Sequence, residues 1–168
     1  MYRLLILLFM VPLLSVDSCT KVSPESIEPA DLSGKWVLKN YFLGDAIDTP
    51  CGYENANPPE ITFEISQDTD KKNTYKFSGK STINSFFGSF EITDFDTDKK
   101  IASIAVGAVG STKMAGPPEL MQCESRFFEF LSNSKELKIS EGKCLIGTFP
   151  KTTVPSRDGG TYLIFEKK

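Results

Sequence analysis

Cysteine is the residue type best placed to do chemistry in this chain, at Cys19, Cys51, Cys123 and Cys144. Histidine is absent. Without an imidazole the chain lacks the commonest general base and the commonest transition-metal ligand. A Ser-His-Asp or Cys-His mechanism is therefore excluded for the chain acting alone. Scattered cysteines without histidine also make a poor zinc site, so no metal or other cofactor is expected. Aspartate gives the next candidates, because residues 68–72 and 96–100 both read Asp-Thr-Asp-Lys-Lys. Neither copy has the glycine and glutamate spacing of a calcium loop, and each runs into lysines. Solvated hairpin turns are the expectation there. Gly107-Ala-Val-Gly110-Ser-Thr-Lys113 has the glycines and lysine of a phosphate-binding loop but not their spacing. Glu119, Glu124 and Glu129 could hold an acid–base pair, yet on a helix with polar neighbours they are expected to form a charged outer face. No catalytic residue emerges.

Any such side chain must be positioned by a chain of 168 residues, the size of one ordinary domain. Its 40% hydrophobic content, with 13 Phe, can build a core. A net charge of −3 and a pI near 5.1 leave no electrostatic footprint for nucleic acid. Arg3 precedes an apolar run from Leu4 to Leu14. The run is too short to cross a bilayer core of about 30 Å as a helix but suits a signal peptide. It ends in Ser15-Val-Asp-Ser-Cys19, which resembles the lipobox of bacterial lipoproteins, although Asp17 stands where a small or apolar residue is usual. The expected organisation is a lipoprotein signal peptide at 1–18, a tether at 19–30 and one domain at 31–168. Lipidated Cys19 would then hold the protein to a membrane of the bacterial cell envelope, the outer membrane being expected.

Within the domain, Leu32 to Lys39 reads as a first strand, with Trp36 and Leu38 on one face. Residues 44–59, rich in Gly, Asp, Asn and Pro, read as a long surface loop carrying Cys51. Ile61, Phe63 and Ile65 alternate with polar residues, as a half-buried strand does. Further strands are expected from Tyr75, over Phe87–Phe95, over Ile101–Val106, at Leu137–Ile139, over Cys144–Phe149 and over Tyr162–Phe165. Pro117 and Pro118 suit the first turn of a helix that runs to about Asn133. Leu120, Glu124, Phe127 and Leu131 define its stripe, which Met121 and Phe128 widen. About eight short strands and one packed helix imply an α+β domain, mostly antiparallel β, with a small barrel-like sheet.

If Cys19 carries lipid, Cys51, Cys123 and Cys144 lie in an oxidising compartment and can form one disulfide, in any of three pairings. Cys51, in a loop, is the natural residue to staple. Its partner is open between Cys123 and Cys144, and the bond is expected to contribute about 2–4 kcal/mol.

Several segments in order resemble one family. They are Leu32-Ser-Gly-Lys-Trp36, Phe77-Ser-Gly79-Lys-Ser-Thr-Ile-Asn84-Ser-Phe-Phe-Gly88-Ser-Phe90, Thr112-Lys-Met114-Ala, Glu124 with Phe127 to Leu131, and Leu163-Ile-Phe165. Together they resemble the META domain, or HslJ-like, family over residues 31 to 167. The resemblance implies a compact antiparallel barrel with one packed helix, often found in envelope lipoproteins. It also marks Trp36, Gly79, Asn84, Gly88, Thr112, Met114 and Glu124 as the family motif. The family commonly has Gly-Cys-Asn where this chain has Thr82-Ile83-Asn84, and Met-Ala-Cys where it has Met114-Ala115-Gly116. Both cysteine positions are lost together, as though a linked pair had been dropped. Asn84 and Gly88 suggest a demanding backbone turn, Thr112 a local cap, Met114 core filler and Glu124 a partner near the helix N-terminus.

The expectation is a non-enzymatic, lipid-anchored envelope protein with a binding, stress or maintenance role. The partner would be an unidentified protein. The alternative is a carrier holding a small hydrophobic ligand inside the barrel, which a filled interior would rule out. A protease inhibitor acting through residues 44–59 or 150–160 is a third reading.

Overall fold

The computed structural model describes residues 29–52, 57–150 and 159–168. The signal peptide, Cys19 and most of the 19–30 tether lie outside the described residues, as do residues 53–56 and 151–158 of the two long loops.

Alternation of apolar and polar side chains builds most of the domain. The strands are β1 (Gly34–Leu43), β2 (Ala46–Asp48), β3 (Thr62–Gln67), β4 (Thr74–Lys80), β5 (Ser85–Asp96), β6 (Ile101–Val106), β7 (Gly110–Ser111), β8 (Glu136–Ser140), β9 (Lys143–Thr148) and β10 (Thr161–Lys167). All pair antiparallel, in the order β1-β3-β4-β5-β6-β8-β9-β10. A register from Trp36↔Lys167 to Leu43↔Thr161 joins β10 back to β1 and closes an eight-stranded barrel. The α+β, barrel-like expectation holds. β2 extends the line of β3 along β1, and β7 pairs with β5. Ala46–Asp48 is thus a short strand inside what reads from sequence as loop. A single helical turn, α1 (Pro29–Leu32), precedes β1, so Leu32 is helical and not the first strand residue. The two Asp-Thr-Asp-Lys-Lys segments lie at exposed turns, where Asp68 accepts the Asp70 amide at 3.0 Å and Asp96 accepts the Lys99 amide at 3.0 Å.

Inward side chains fill the barrel. Phe63 stands among Phe77, Phe86 and Phe165 at ring distances of 5.2, 6.0 and 5.1 Å. Phe77 continues to Phe90 at 6.4 Å, and Phe90 stacks on Tyr75 at 5.3 Å. All six rings are buried. Two glycines make room for this packing. A Cβ on Gly79 would stand 2.7 Å from the Phe86 ring and 2.0 Å from the Thr62 carbonyl, and one on Gly88 would stand 2.4 Å from the Phe77 ring. Each glycine faces the other strand's phenylalanine across the β4–β5 pair. Gly88 therefore serves ring packing within a strand, and not the turn expected of it. Burial of each such ring contributes about 1.5–3 kcal/mol. The interior that a hydrophobic-ligand carrier needs open is occupied, which removes that alternative.

The ends are covered differently. At the first, Leu32 is buried and its carbonyl accepts the Trp36 indole N–H at 3.0 Å. At the other lies α2 (Pro118–Asn133), contacting β6, β9 and β10. Pro117 and Pro118 start it, and its buried stripe is Cys123, Glu124, Phe127 and Leu131. Phe127 drops onto Phe86 at 5.1 Å, edge to face. Met121 remains 45% exposed, outside the stripe expected to contain it.

Candidate functional site

The residues that the motif brings together meet where α2 crosses the β4–β5 turn. Residues 81–84 form that turn, the Ser81 amide donating to the Asn84 carbonyl at 2.8 Å. Glu124 projects from the helix into it and is only 9% exposed. Its Oε2 accepts the Asn84 amide at 2.8 Å, the Ile83 amide at 3.3 Å and the Ser81 hydroxyl. Its Oε1 accepts Asn84 Nδ2 at 2.7 Å. The Thr82 hydroxyl adds a bond to the Leu120 carbonyl at 2.8 Å. Glu124 is thus buried, contrary to the outer-face expectation, because donors from a distant turn replace its water. Burial pushes its carboxyl up, but the donors from Ser81, Asn84 and Ile83 outweigh that and hold it below the ordinary glutamate value of 4.5.

Asn84 carries the network onward. Its Oδ1 accepts the Thr112 hydroxyl at 2.8 Å and the Met114 amide at 2.7 Å. Thr112 Oγ1 in turn accepts the Ser85 amide at 3.2 Å. Thr112 is therefore a bridge between β5 and the segment leading to α2, not a helix cap, and α2 has no side-chain cap at its start. Met114 contributes its backbone, while its side chain is 57% exposed and not core filler. Glu124 lies in the second turn of α2, beyond the terminal amides it was expected to meet. What the arrangement does chemically is fasten. Both carboxylate oxygens are engaged, Oε2 by the Ser81 hydroxyl and the Asn84 and Ile83 amides and Oε1 by Asn84 Nδ2.

A second fastening lies along the same helix. Cys123 forms a disulfide with Cys51, resolving the pairing left open by spacing, and among the described residues Cys144 is the free thiol, buried. Burial pushes the Cys144 thiol well above its usual range. Three residues on, Arg126 donates to Asp48 at 2.8 Å and lies over the Tyr41 ring at 4.7 Å. The structure thus unites Asn84, Thr112, Met114 and Glu124. Trp36 stands apart at the opposite end, and Gly79 and Gly88 belong to the ring packing between. Ser81 lies within the segment that carries the resemblance, but neither its bond to Glu124 nor the role of Arg126 is legible in the sequence. The i, i+3 spacing of Cys123 and Arg126 puts both on one helix face, and was the available sign for the second.

Gly116 lies against Ile83, whose Cγ1 and Cδ1 would stand 3.0 and 2.5 Å from a Cβ on residue 116. These are the two positions where the chain departs from the family's cysteines. The neighbours are complementary in size, and the two Cβ positions fall within the separation a disulfide requires. The double substitution I83C/G116C is expected to form a bond spontaneously in air. Thiol titration should find no added free thiols, and stability should rise by about 2–3 kcal/mol.

The META domain family matches the chain over residues 30–164. A solved structure, the NMR structure of the protein from Burkholderia xenovorans, is similar with a TM-score of 0.51 and 19% identity, covering 94% of this chain and 99% of that one. At that identity the likeness speaks for the fold alone. No curated protein matches the chain. A family match over most of the domain, on the barrel and helix described above, establishes that the chain belongs to the META domain family.

Proposed function

We propose that this protein is a lipid-anchored, non-enzymatic component of the bacterial cell envelope whose META domain acts by binding a protein partner or in envelope maintenance. The observation that carries the reading is the condition of Glu124. The acid brought closest to a hydroxyl is saturated by four donors and joins helix to barrel, which is the chemistry of a rigid scaffold. Arg3, the apolar run and Ser18-Cys19 supply the anchoring half.

The test is Cys19→Ser. The wild-type protein is expected in the membrane fraction, and the variant in the soluble fraction with its fold unchanged. Continued membrane fractionation of the variant would refute the anchor.

A further inference from the structure

We propose that the Cys51–Cys123 disulfide is a thiol-exchange site, opened by attack of a reductant's thiolate on Cys51. A cavity of about 240 Å³ lies over the bond, lined by Cys51, Gly52, Glu119, Gln122, Cys123 and Arg126. Both sulfur-bearing residues thus border space that a small thiol or a protein's exposed cysteine can enter. The two differ in access. Cys123 is buried on the inner stripe of α2, whereas Cys51, on the segment after β2, is half-buried. Attack is thereby directed to Cys51, with Cys123 as the leaving group.

The charges facing Cys123 are Arg126, one turn on, Glu119, one turn back, and Asp48 paired to Arg126. Arg126 is already paired with Asp48 at 2.8 Å, so direction of attack rests on access and not on charge.

The step balances with a dithiol as reductant. Its first thiolate bonds to Cys51 Sγ as the Cys51–Cys123 bond breaks, and the electron pair leaves on Cys123 Sγ, which takes a proton from water. The reductant's second thiolate then displaces Cys51, so two electrons pass to the protein and the reductant leaves as a disulfide. Cys144 plays no part, being buried inside the wall of the barrel. The fold is built to survive the step, since Glu124 and Phe127 hold α2 independently of the disulfide. Reduction would therefore remove the covalent link between Cys51 and α2, with the Arg126–Asp48 pair still joining helix to β2, while leaving the barrel closed.

The experiment exposes the full mature chain to reduced glutathione, quenches early samples with an alkylating agent that caps Cys123 before it can close back on the mixed disulfide or a second glutathione can complete the reduction, and maps the adduct by peptide mass spectrometry. The expected result is one adduct on Cys51 with Cys123 alkylated, formed at a rate that changes less than about twofold between 0 and 1 M urea. A rate gated by global unfolding would instead rise about 5- to 150-fold over that range. That rise, an adduct on Cys123, or no adduct at all would overturn the proposal. Cys144→Ala, run alongside, is expected to give the same adduct at the same rate; loss of the Cys51 adduct in a folded variant would also overturn it.

Discussion

Replacing Glu124 by alanine is expected to destabilise the domain by about 3–5 kcal/mol. The carboxylate is the common acceptor for the Asn84 amide, Asn84 Nδ2, the Ile83 amide and the Ser81 hydroxyl, in a place with little water to replace it. Removing it orphans buried donors, and each costs about 1–3 kcal/mol when left unpaired. Chemical denaturation read by Trp36 fluorescence measures the loss.

A pH series adds a sharper test. The folded-state pKa of Glu124 is lowered, so its contribution is complete above the unfolded value, near 4.5, and is lost as pH falls through the folded value. Asp68, Asp96 and Glu60 are also lowered, by backbone amides or lysines, so wild-type stability falls on the acid side from several groups at once. The difference between wild type and Glu124→Gln isolates the one carboxylate. It should be largest near neutral pH and shrink below 4.5. A difference independent of pH would show that the folded and unfolded states protonate residue 124 alike.

Removing the disulfide should have the next largest effect. The bond joins residues 72 apart, and closing a loop of that size restricts the unfolded chain by about 4 kcal/mol in the chain-entropy account. The double variant C51S/C123S is expected to unfold roughly 10 °C lower in a thermal scan. It should keep the same far-ultraviolet dichroism, because the barrel strands close without it. A collapse of the dichroism would mean that the bond is needed for the fold itself.

Much of the architecture can be read from local pattern. Ile61, Phe63 and Ile65, and Tyr75 with Phe77, alternate because one face of each strand meets the barrel interior. α2 is legible from its prolines and stripe. β2 is not, since Ala46-Ile-Asp48 is three residues long among glycine and proline, and it becomes a strand only because β1 offers an edge. Nor does alternation reveal that β10 returns to β1, a pairing set by closure of the whole sheet.

The site divides in the same way. Motif spacing singles out Glu124, Asn84 and Thr112, but their roles depend on donors supplied from far along the chain. A glutamate beside serine and arginine reads as solvent-facing until the 81–84 turn comes to meet it. Met114 is marked for a reason that side-chain chemistry cannot show, because its backbone amide makes the contact.

The pairing of first strand to last governs when this protein can fold. β1 completes one edge with β3 early, but its other edge waits for Thr161–Lys167. A chain made or exported from its N-terminus stays an open, curling sheet until almost its final residue has emerged. Contacts so distant in sequence also form slowly, because the loop-closure entropy precedes the reward. The seam thus delays closure of the barrel until Thr161–Lys167 is available, however many of the earlier strands have already paired.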